Sequence, residues 1–286
     1  MRRVWLWLLG LGVAHGMELF NPVLSAYWLP FRLEPQAPGL GLSLYAASHL
    51  NYLEGSWGRM GFDLEEWGVV LGVRVGQEPW SLGVFLPLAL YWGGVMDPTL
   101  DALHGLLGLP RNQTRAQTLL FLSPAQGEGR TWEGPTWGPK DLVVRLDYQE
   151  EGLLGFVALG LPTGSVERFL GSGGYRLLLG GGWALAEGEV RLGLLWPLGD
   201  APLFLGLGPR PSLGLEARWR RALNTPLDLE VQLLTSPLSV GPPVYGALRV
   251  YLGGVGFAEG LPLFVPDGMP DVVFSWAGAW PLEPRR

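Results

Sequence analysis

From residue 40 onward polar and apolar residues alternate one by one through most of the chain, and this period of two constrains the fold more than any other feature. Over 141–149, Asp141, Val143, Arg145, Asp147 and Gln149 share one side, and Leu142, Val144, Leu146 and Tyr148 share the other. Successive side chains of a strand point to opposite faces, so this is a strand with one polar and one apolar face. The pattern returns over 187–196, where Glu187, Glu189 and Arg191 oppose Val190, Leu192, Leu194 and Trp196. It returns again where Glu216, Arg218 and Arg220 oppose Leu215, Ala217 and Trp219. Asp228, Glu230 and Gln232 then oppose Leu227, Leu229, Val231 and Leu233. Near the C-terminus Val272, Phe274, Trp276 and Trp280 line one face, with Asp271 and Ser275 on the other.

Further strands are expected at 40–53, 60–75, 80–91, 114–122, 153–161, 174–185 and 244–252, many of them separated by Gly/Pro/Asp/Asn clusters. The total is about twelve, spaced roughly 20 residues apart, which fits a membrane strand of about 10 residues plus its turn and loop. The segment 201–209 would make a thirteenth. Single-chain bacterial barrels normally have even numbers, so it reads as loop or strand extension.

Two closed solutions satisfy the alternation, one in water and one in lipid. A soluble sandwich or lipocalin-like barrel would hide the apolar face and show charge of both signs. Charged residues are only 16% of this chain, against about 25% in soluble proteins, and Lys140 is the sole lysine. Hydrophobic residues make up 48%, yet past residue 16 no apolar run is long enough for a spanning helix. Only helices and closed barrels satisfy backbone polar groups in lipid, so strands remain. Tyr91, Trp92, Tyr148, Trp196, Trp219, Tyr251 and Trp280 fall at or near strand ends, where membrane barrels carry aromatic girdles. The expected fold is all-β, an antiparallel transmembrane β-barrel of about twelve strands, with outer-membrane lipid as its surroundings. With no Cys, neither disulfides nor thiolate–metal sites are available. A net charge of −6 and the lack of a basic patch argue against nucleic acid as a partner.

Residues 1–16 have the layout of a secretory signal peptide. Arg2 and Arg3 precede an apolar run from Val4 to Val13, and Ala14 and Gly16 sit at −3 and −1 of a cleavage point before Met17. Residues 17–286 then form the barrel domain. One segment reads as helix. Asp97 is a fitting N-cap and Pro98 a fitting first residue. Leu100, Leu103, Leu106 and Leu107 make a stripe, Asp101 and His104 lie away from it, and Gly105, Gly108 and Pro110 stop it. A helix this short is marginal alone in water, so it is expected to dock on the barrel mouth or partly inside the lumen.

Several short motifs follow in order. They are Asn21-Pro22, Asp63-x-Glu65, Gly93-Gly94-x-x-Asp97 with His104 and Gly108-Leu109-Pro110, then Leu161-Pro162-Thr163-Gly164 before Gly171-Ser172-Gly173. The ordered set resembles a bacterial outer-membrane family of unknown function. The Leu-Pro-Thr-Gly part is also similar to outer-membrane channels named for phenol degradation. The resemblance spans most of residues 17–286 and implies a barrel and an outer-membrane address, with no established chemistry. One departure concerns the end of the chain: such barrels commonly finish on an aromatic residue, whereas here Pro-Leu-Glu-Pro-Arg-Arg follows Trp280.

The polar face supplies the candidate functional residues. A lumen lined by Asp63, Glu65, Asp141, Arg145, Asp147, Glu187, Glu189, Arg191, Glu216, Arg218, Asp228 and Glu230 is expected. Asp63 and Glu65 share a face and read either as a cation or polar-substrate site or as carboxylates held by neighbouring Arg. Glu66 breaks the alternation and reads as a bulge. Past residue 16 the histidines are His49 and His104. Zinc needs three or four ligands, and the spacing supports no metal site and no cofactor. A lipid hydrolase using His104 would need a nucleophilic serine, and there is no Gly-x-Ser-x-Gly elbow. Gly171-Ser172-Gly173 reads as a flexible loop, and the glycines at 180–182 and 253–256 as places where the wall curves. Passive passage or binding of small molecules is the leading expectation. A hydrolase through His104 and a structural barrel with a blocked lumen are the alternatives. The two strands flanking the Asn224-Thr225-Pro226 turn also carry complementary charge. Pairing positions that sum to 448 sets Arg220 opposite Asp228, Arg218 opposite Glu230 and Glu216 opposite Gln232, and it matches the apolar faces too.

Overall fold

The computed structural model describes residues 28–31, 33, 38–56, 58–96, 98, 102, 105, 118–124, 129–198, 210–220, 227–236, 244–252, 255–260 and 272–281. The signal segment, Asn21-Pro22, 201–209, the Asn224-Thr225-Pro226 turn, and Asp97, Asp101, His104 and the Leu stripe lie outside the described residues. Of the expected helix Pro98, Ala102 and Gly105 are described, each with helical backbone.

The strands are β1 (Gly39–Gly55), β2 (Gly58–Gln77), β3 (Trp80–Trp92), β4 (Leu119–Pro124), β5 (Arg130–Glu133), β6 (Thr136–Pro139), β7 (Leu142–Glu150), β8 (Leu153–Leu161), β9 (Tyr175–Leu185), β10 (Gly188–Leu198), β11 (Ser212–Trp219), β12 (Leu227–Thr235), β13 (Val244–Leu252), β14 (Val255–Gly260) and β15 (Val272–Pro281). Twelve close an antiparallel ring: β1, β2, β3, then β7 through β15, which pairs back onto β1. Of the remaining three, β4 and β5 form a side hairpin on β2, and β6 extends β7 along β3. β4 pairs with residues 58–63 of β2, β5 with β4, and β6 with residues 88–91 of β3.

The number expected from sequence is the number in the ring, but one member differs. The 114–122 segment becomes β4 in the side hairpin, and β14 takes its place. Val255-Gly256-Phe257-Ala258-Glu259-Gly260 is too short and glycine-rich to stand out by alternation.

The apolar face of the strands points outward. Along β2, Trp67, Leu71, Val73 and Val75 are exposed, while Glu66, Gly68, Val70, Gly72 and Arg74 are buried. Leu44, Leu82, Val84, Val157, Leu179, Leu192, Leu213 and Phe274 continue the exposed apolar surface around the ring. In water so large a patch would be an association site, whereas lipid covers it. Gly39 pairs with Pro281 at the end that carries the tight turns Glu78-Pro79, Glu151-Gly152 and Ala186-Glu187. Glu151 and Gly152 both have positive φ, 48° and 84°, as a two-residue type I′ hairpin requires. Trp80 lies tilted against Tyr148 at 4.9 Å near this end, and Trp67 meets Trp92 edge-to-face at 5.9 Å nearer the other.

The β11–β12 register sums to 448, with Glu216 opposite Gln232, Ala217 opposite Val231, Arg218 opposite Glu230 and Trp219 opposite Leu229. The expected Arg220–Asp228 pair is not formed. The ladder ends at Trp219–Leu229, Arg218 reaches diagonally to Asp228 at 2.5 Å, and exposed Arg220 leans toward Glu189 at 3.9 Å.

Glu66 is not a bulge. β1 and β2 pair without a break from Gly39–Arg74 to Gly55–Gly58, so the alternation holds with Glu66 inside and Glu65 outside. The bulge lies at residues 140–142. Pairing with β3 stops at Pro139–Leu88 and resumes at Val143–Phe85, so Lys140, Asp141 and Leu142 oppose only Leu86 and Pro87. Pro87 has no N–H to give; it accepts from Lys140 N at 2.8 Å instead. Proline in an inner strand is tolerated at a bulge, and the extra residue turns both Lys140 and Asp141 into the interior.

Candidate functional site: the occupied lumen

Trp28-Leu29-Pro30-Phe31 precedes the first strand and shows no alternation. It lies inside the ring. Trp28, Leu29, Phe31 and Leu33 are at most 1% exposed and share one core with Tyr45, Phe85, Phe156, Leu178, Leu195, Leu234 and Tyr245. Phe31 meets Trp28 at 5.9 Å and the edge of Phe156 at 6.0 Å. The wall makes room with inward glycines. A Cβ on Gly193 would stand 2.6 Å from the Phe31 ring, one on Gly214 2.6 Å from Trp28, and one on Gly160 3.0 Å from Leu29. Burying each large apolar side chain contributes about 1.5–3 kcal/mol, so four of them hold the segment firmly.

Irregular backbone inside a barrel must still find hydrogen bonds. Two arginines supply them: Arg145 Nη1 donates to Pro30 O at 3.1 Å, and Arg191 Nη1 donates to Phe31 O at 2.9 Å. Both guanidiniums are anchored by acids. Asp147 accepts from Arg145 Nε at 2.8 Å and also from Arg74, and Glu189 accepts from Arg191 Nη2 at 3.0 Å. Arg145 also lies 4.3 Å above the Phe156 ring. The polar belt continues around the wall. Gln232 Nε2 donates to Glu216 at 2.7 Å and to Glu230 at 3.2 Å, and Arg249 Nη1 donates to Tyr251 Oη at 2.6 Å.

Of the expected lumen set, Arg145, Asp147, Glu189, Arg191, Glu216, Arg218, Asp228 and Glu230 lie in this belt. Asp141 is also inward, at the bulge. Glu187 is exposed in the β9–β10 turn, one residue before the ladder begins. Asp63 and Glu65 do not face the lumen, because they share parity with outward Trp67. Glu65 is nevertheless buried, since the 93–96 turn folds over it: its carboxylate accepts from Met96 N and, at 3.1 Å, from Trp67 Nε1. A Cβ on Gly94 would fall 1.8 Å from that carboxyl carbon, so the spaced Asp-x-Glu and Gly-Gly motifs meet here as a structural lock.

The Leu-Pro-Thr-Gly and Gly-Ser-Gly motifs form a second lock, and Gly171-Ser172-Gly173 is pinned rather than flexible. Asp141 accepts from Gly164 N at 2.9 Å, Ser172 N at 2.9 Å, Ser172 Oγ at 2.8 Å and Arg176 Nη2 at 2.7 Å. Thr163 Oγ1 donates to Lys140 O at 3.1 Å and accepts from Leu142 N at 2.9 Å. The bulge and the 162–174 loop therefore brace each other, with Phe169 and Leu170 buried beneath.

Sequence reasoning missed the lumen segment, Arg74, Arg249 and a buried cluster around Glu66. In that cluster Lys140 Nζ approaches Glu66 Oε1 at 2.5 Å, Tyr45 Oη donates to the same oxygen at 2.6 Å, and His49 Nε2 lies 3.6 Å from Oε2. The sole lysine of a chain otherwise reliant on arginine was the available signal.

No protein-family model and no curated sequence matches the chain. Among solved structures it is similar to an outer membrane channel from Pseudomonas putida F1, with a TM-score of 0.51 and 15% identity over 88% of this chain and 100% of that one. A mutant porin of Rhodopseudomonas blastica matches at a TM-score of 0.34 and 9% identity, over 84% of this chain and 98% of that one. The first likeness is one of fold, an outer-membrane barrel fold.

Proposed function

We propose that the protein is an outer-membrane channel for small molecules, exported by its 1–16 segment and closed at rest by its own residues 28–33. The observation that carries this reading is the seating of Trp28, Leu29, Phe31 and Leu33 inside a ring whose exterior is apolar. A ring of this strand number is wider than the eight-strand barrels that wall side chains alone can fill, and here a separate, non-ladder segment fills it. That segment is held by side-chain packing and by hydrogen bonds from Arg145 and Arg191 rather than by a strand ladder, so it is the element that yields first. The likeness to an outer membrane channel supports the same reading at the level of fold. The inward acids and arginines are close to balanced, so the expected pore is only mildly charge-selective.

Planar-bilayer recording tests it. Wild type should show small, infrequent openings, and removal of residues 28–33 should give larger, persistent ones. If both proteins are silent while folded, the channel reading is wrong and a structural barrel takes its place.

A further inference from the structure

A cavity of about 150 Å³ opens beside the lumen segment toward the tight-turn end, lined by Arg74, Arg191, Asp147, Gln77, Phe156 and Leu154 among others. Two of its walls are guanidiniums that are almost fully buried, at 2% and 8% exposure. Arg191 is the residue whose Nη1 holds Phe31 O. We propose that this cavity is a binding site for small organic carboxylates, and that occupancy releases the segment from Arg191. The inference rests on the channel reading for its consequence but not for the binding itself.

The chemistry runs as a competition between acceptors. The bond to Phe31 O, a neutral carbonyl, has charge on the donor alone, whereas an ionised carboxylate adds charge on the acceptor and offers a second oxygen. Nε and Nη2 of Arg191 stay on Glu189, so the incoming carboxylate competes with Phe31 O for Nη1. The charged side chains that line the cavity are balanced, Arg74 and Arg191 against Asp147 and Glu78, with Glu150 and Glu151 in the adjoining turn. Asp147 is already shared by Arg74 and Arg145, so its charge is offset twice. Phe156, Leu154, Trp80 and Pro38 give the cavity an apolar patch, set among the polar side chains of Gln77, Ser81 and Gln149. A carboxylate with a short hydrocarbon tail therefore meets charge at one end and apolar surface at the other, whereas inorganic phosphate meets only the first.

Hexanoate is the probe, with hexanol as its uncharged counterpart and phosphate as the tail-less anion. Binding is measured by calorimetry on the full-length protein in detergent. Release is followed by maleimide labelling of Leu29→Cys, which introduces the chain's only thiol. Hexanoate should bind and speed labelling about tenfold, a shift of roughly 1.4 kcal/mol in the closed–open balance, while hexanol and phosphate should do markedly less. Arg74→Gln and Arg191→Gln should each lose most of the hexanoate binding. Equal effects of hexanol and hexanoate in wild type would overturn the site without any variant. Undiminished binding to a folded Arg74→Gln/Arg191→Gln protein would do so too. Binding without faster labelling would overturn the release step. Silence in bilayers would bear on the channel reading alone, since the calorimetric result does not depend on conduction.

Discussion

Asp141 accepts four hydrogen bonds from two motifs and a buried arginine, so removing it strands several donors at once. Breaking a buried ion pair from one side typically costs about 3–5 kcal/mol, because the surviving charge is left without compensation. Asp141→Ala should therefore lower the denaturation midpoint far more than Thr163→Val, which removes bonds of about 1 kcal/mol each. Urea titration followed by tryptophan fluorescence checks the order, and equal losses would mean that the corner does not depend on Asp141. Glu65 gives a second prediction at this scale. Were it lumenal, Asp63→Ala/Glu65→Ala would shift ion selectivity away from cations. Because both residues share the outward face, the reversal potential of the opened channel should stay unchanged, while Glu65→Ala should raise protease sensitivity around residues 93–96. The phase of this strand was legible from Trp67, Val69, Leu71, Val73 and Val75, whose shared parity fixes the lipid side. Adjacent acids at 65 and 66 obscured it, since carboxylates at both parities admit either phase until their partners are known. Nothing local to Asp141 announces its role; its partners lie 23 to 35 residues away.

At the scale of elements, alternation located most ring strands, and β8 and β13 match the expected limits residue for residue. It also set the β11–β12 register, since matching two unlike faces forbids odd slips and charge selects among the even ones. That register predicts a crosslink. Ala217 and Val231 are directly opposed, and opposed Cβ atoms in an antiparallel pair lie about 4.5–5.5 Å apart, near disulfide reach. Ala217→Cys/Val231→Cys should oxidise readily in this cysteine-free chain, and Ala217→Cys/Leu229→Cys should not; mass spectrometry of the peptides distinguishes them. Alternation failed where an element lacks two unlike faces. β14 has six residues, with glycines at its second and last positions. Segment 28–33 is a strand on neither side, because every neighbour it meets is interior. Its signal was an apolar run before the first alternating stretch, with no partner of its own.

The whole molecule is a ring held by continuous ladders around a segment held by packing, and this difference decides which gives way under strain. A side chain added at Gly193 meets the Phe31 ring at 2.6 Å and the Leu178 side chain at 3.0 Å. The wall cannot retreat there without breaking the pairing of β10 with both β9 and β11, several hydrogen bonds at about 0.5–1.5 kcal/mol net each. Phe31 can move by losing its own burial, about 1.5–3 kcal/mol, and one arginine bond. The segment therefore yields. Gly193→Val should fold as a barrel, shown by the usual shift in gel mobility on heating, yet open far more often than wild type in a planar bilayer. Adding Gly193→Val to the protein that lacks residues 28–33 should change little, because both alterations empty the same space and their effects are not additive. A Gly193→Val barrel that stays closed would place the obstruction elsewhere. A further rise in the combined protein would mean that Gly193 shapes the pore itself rather than receiving Phe31.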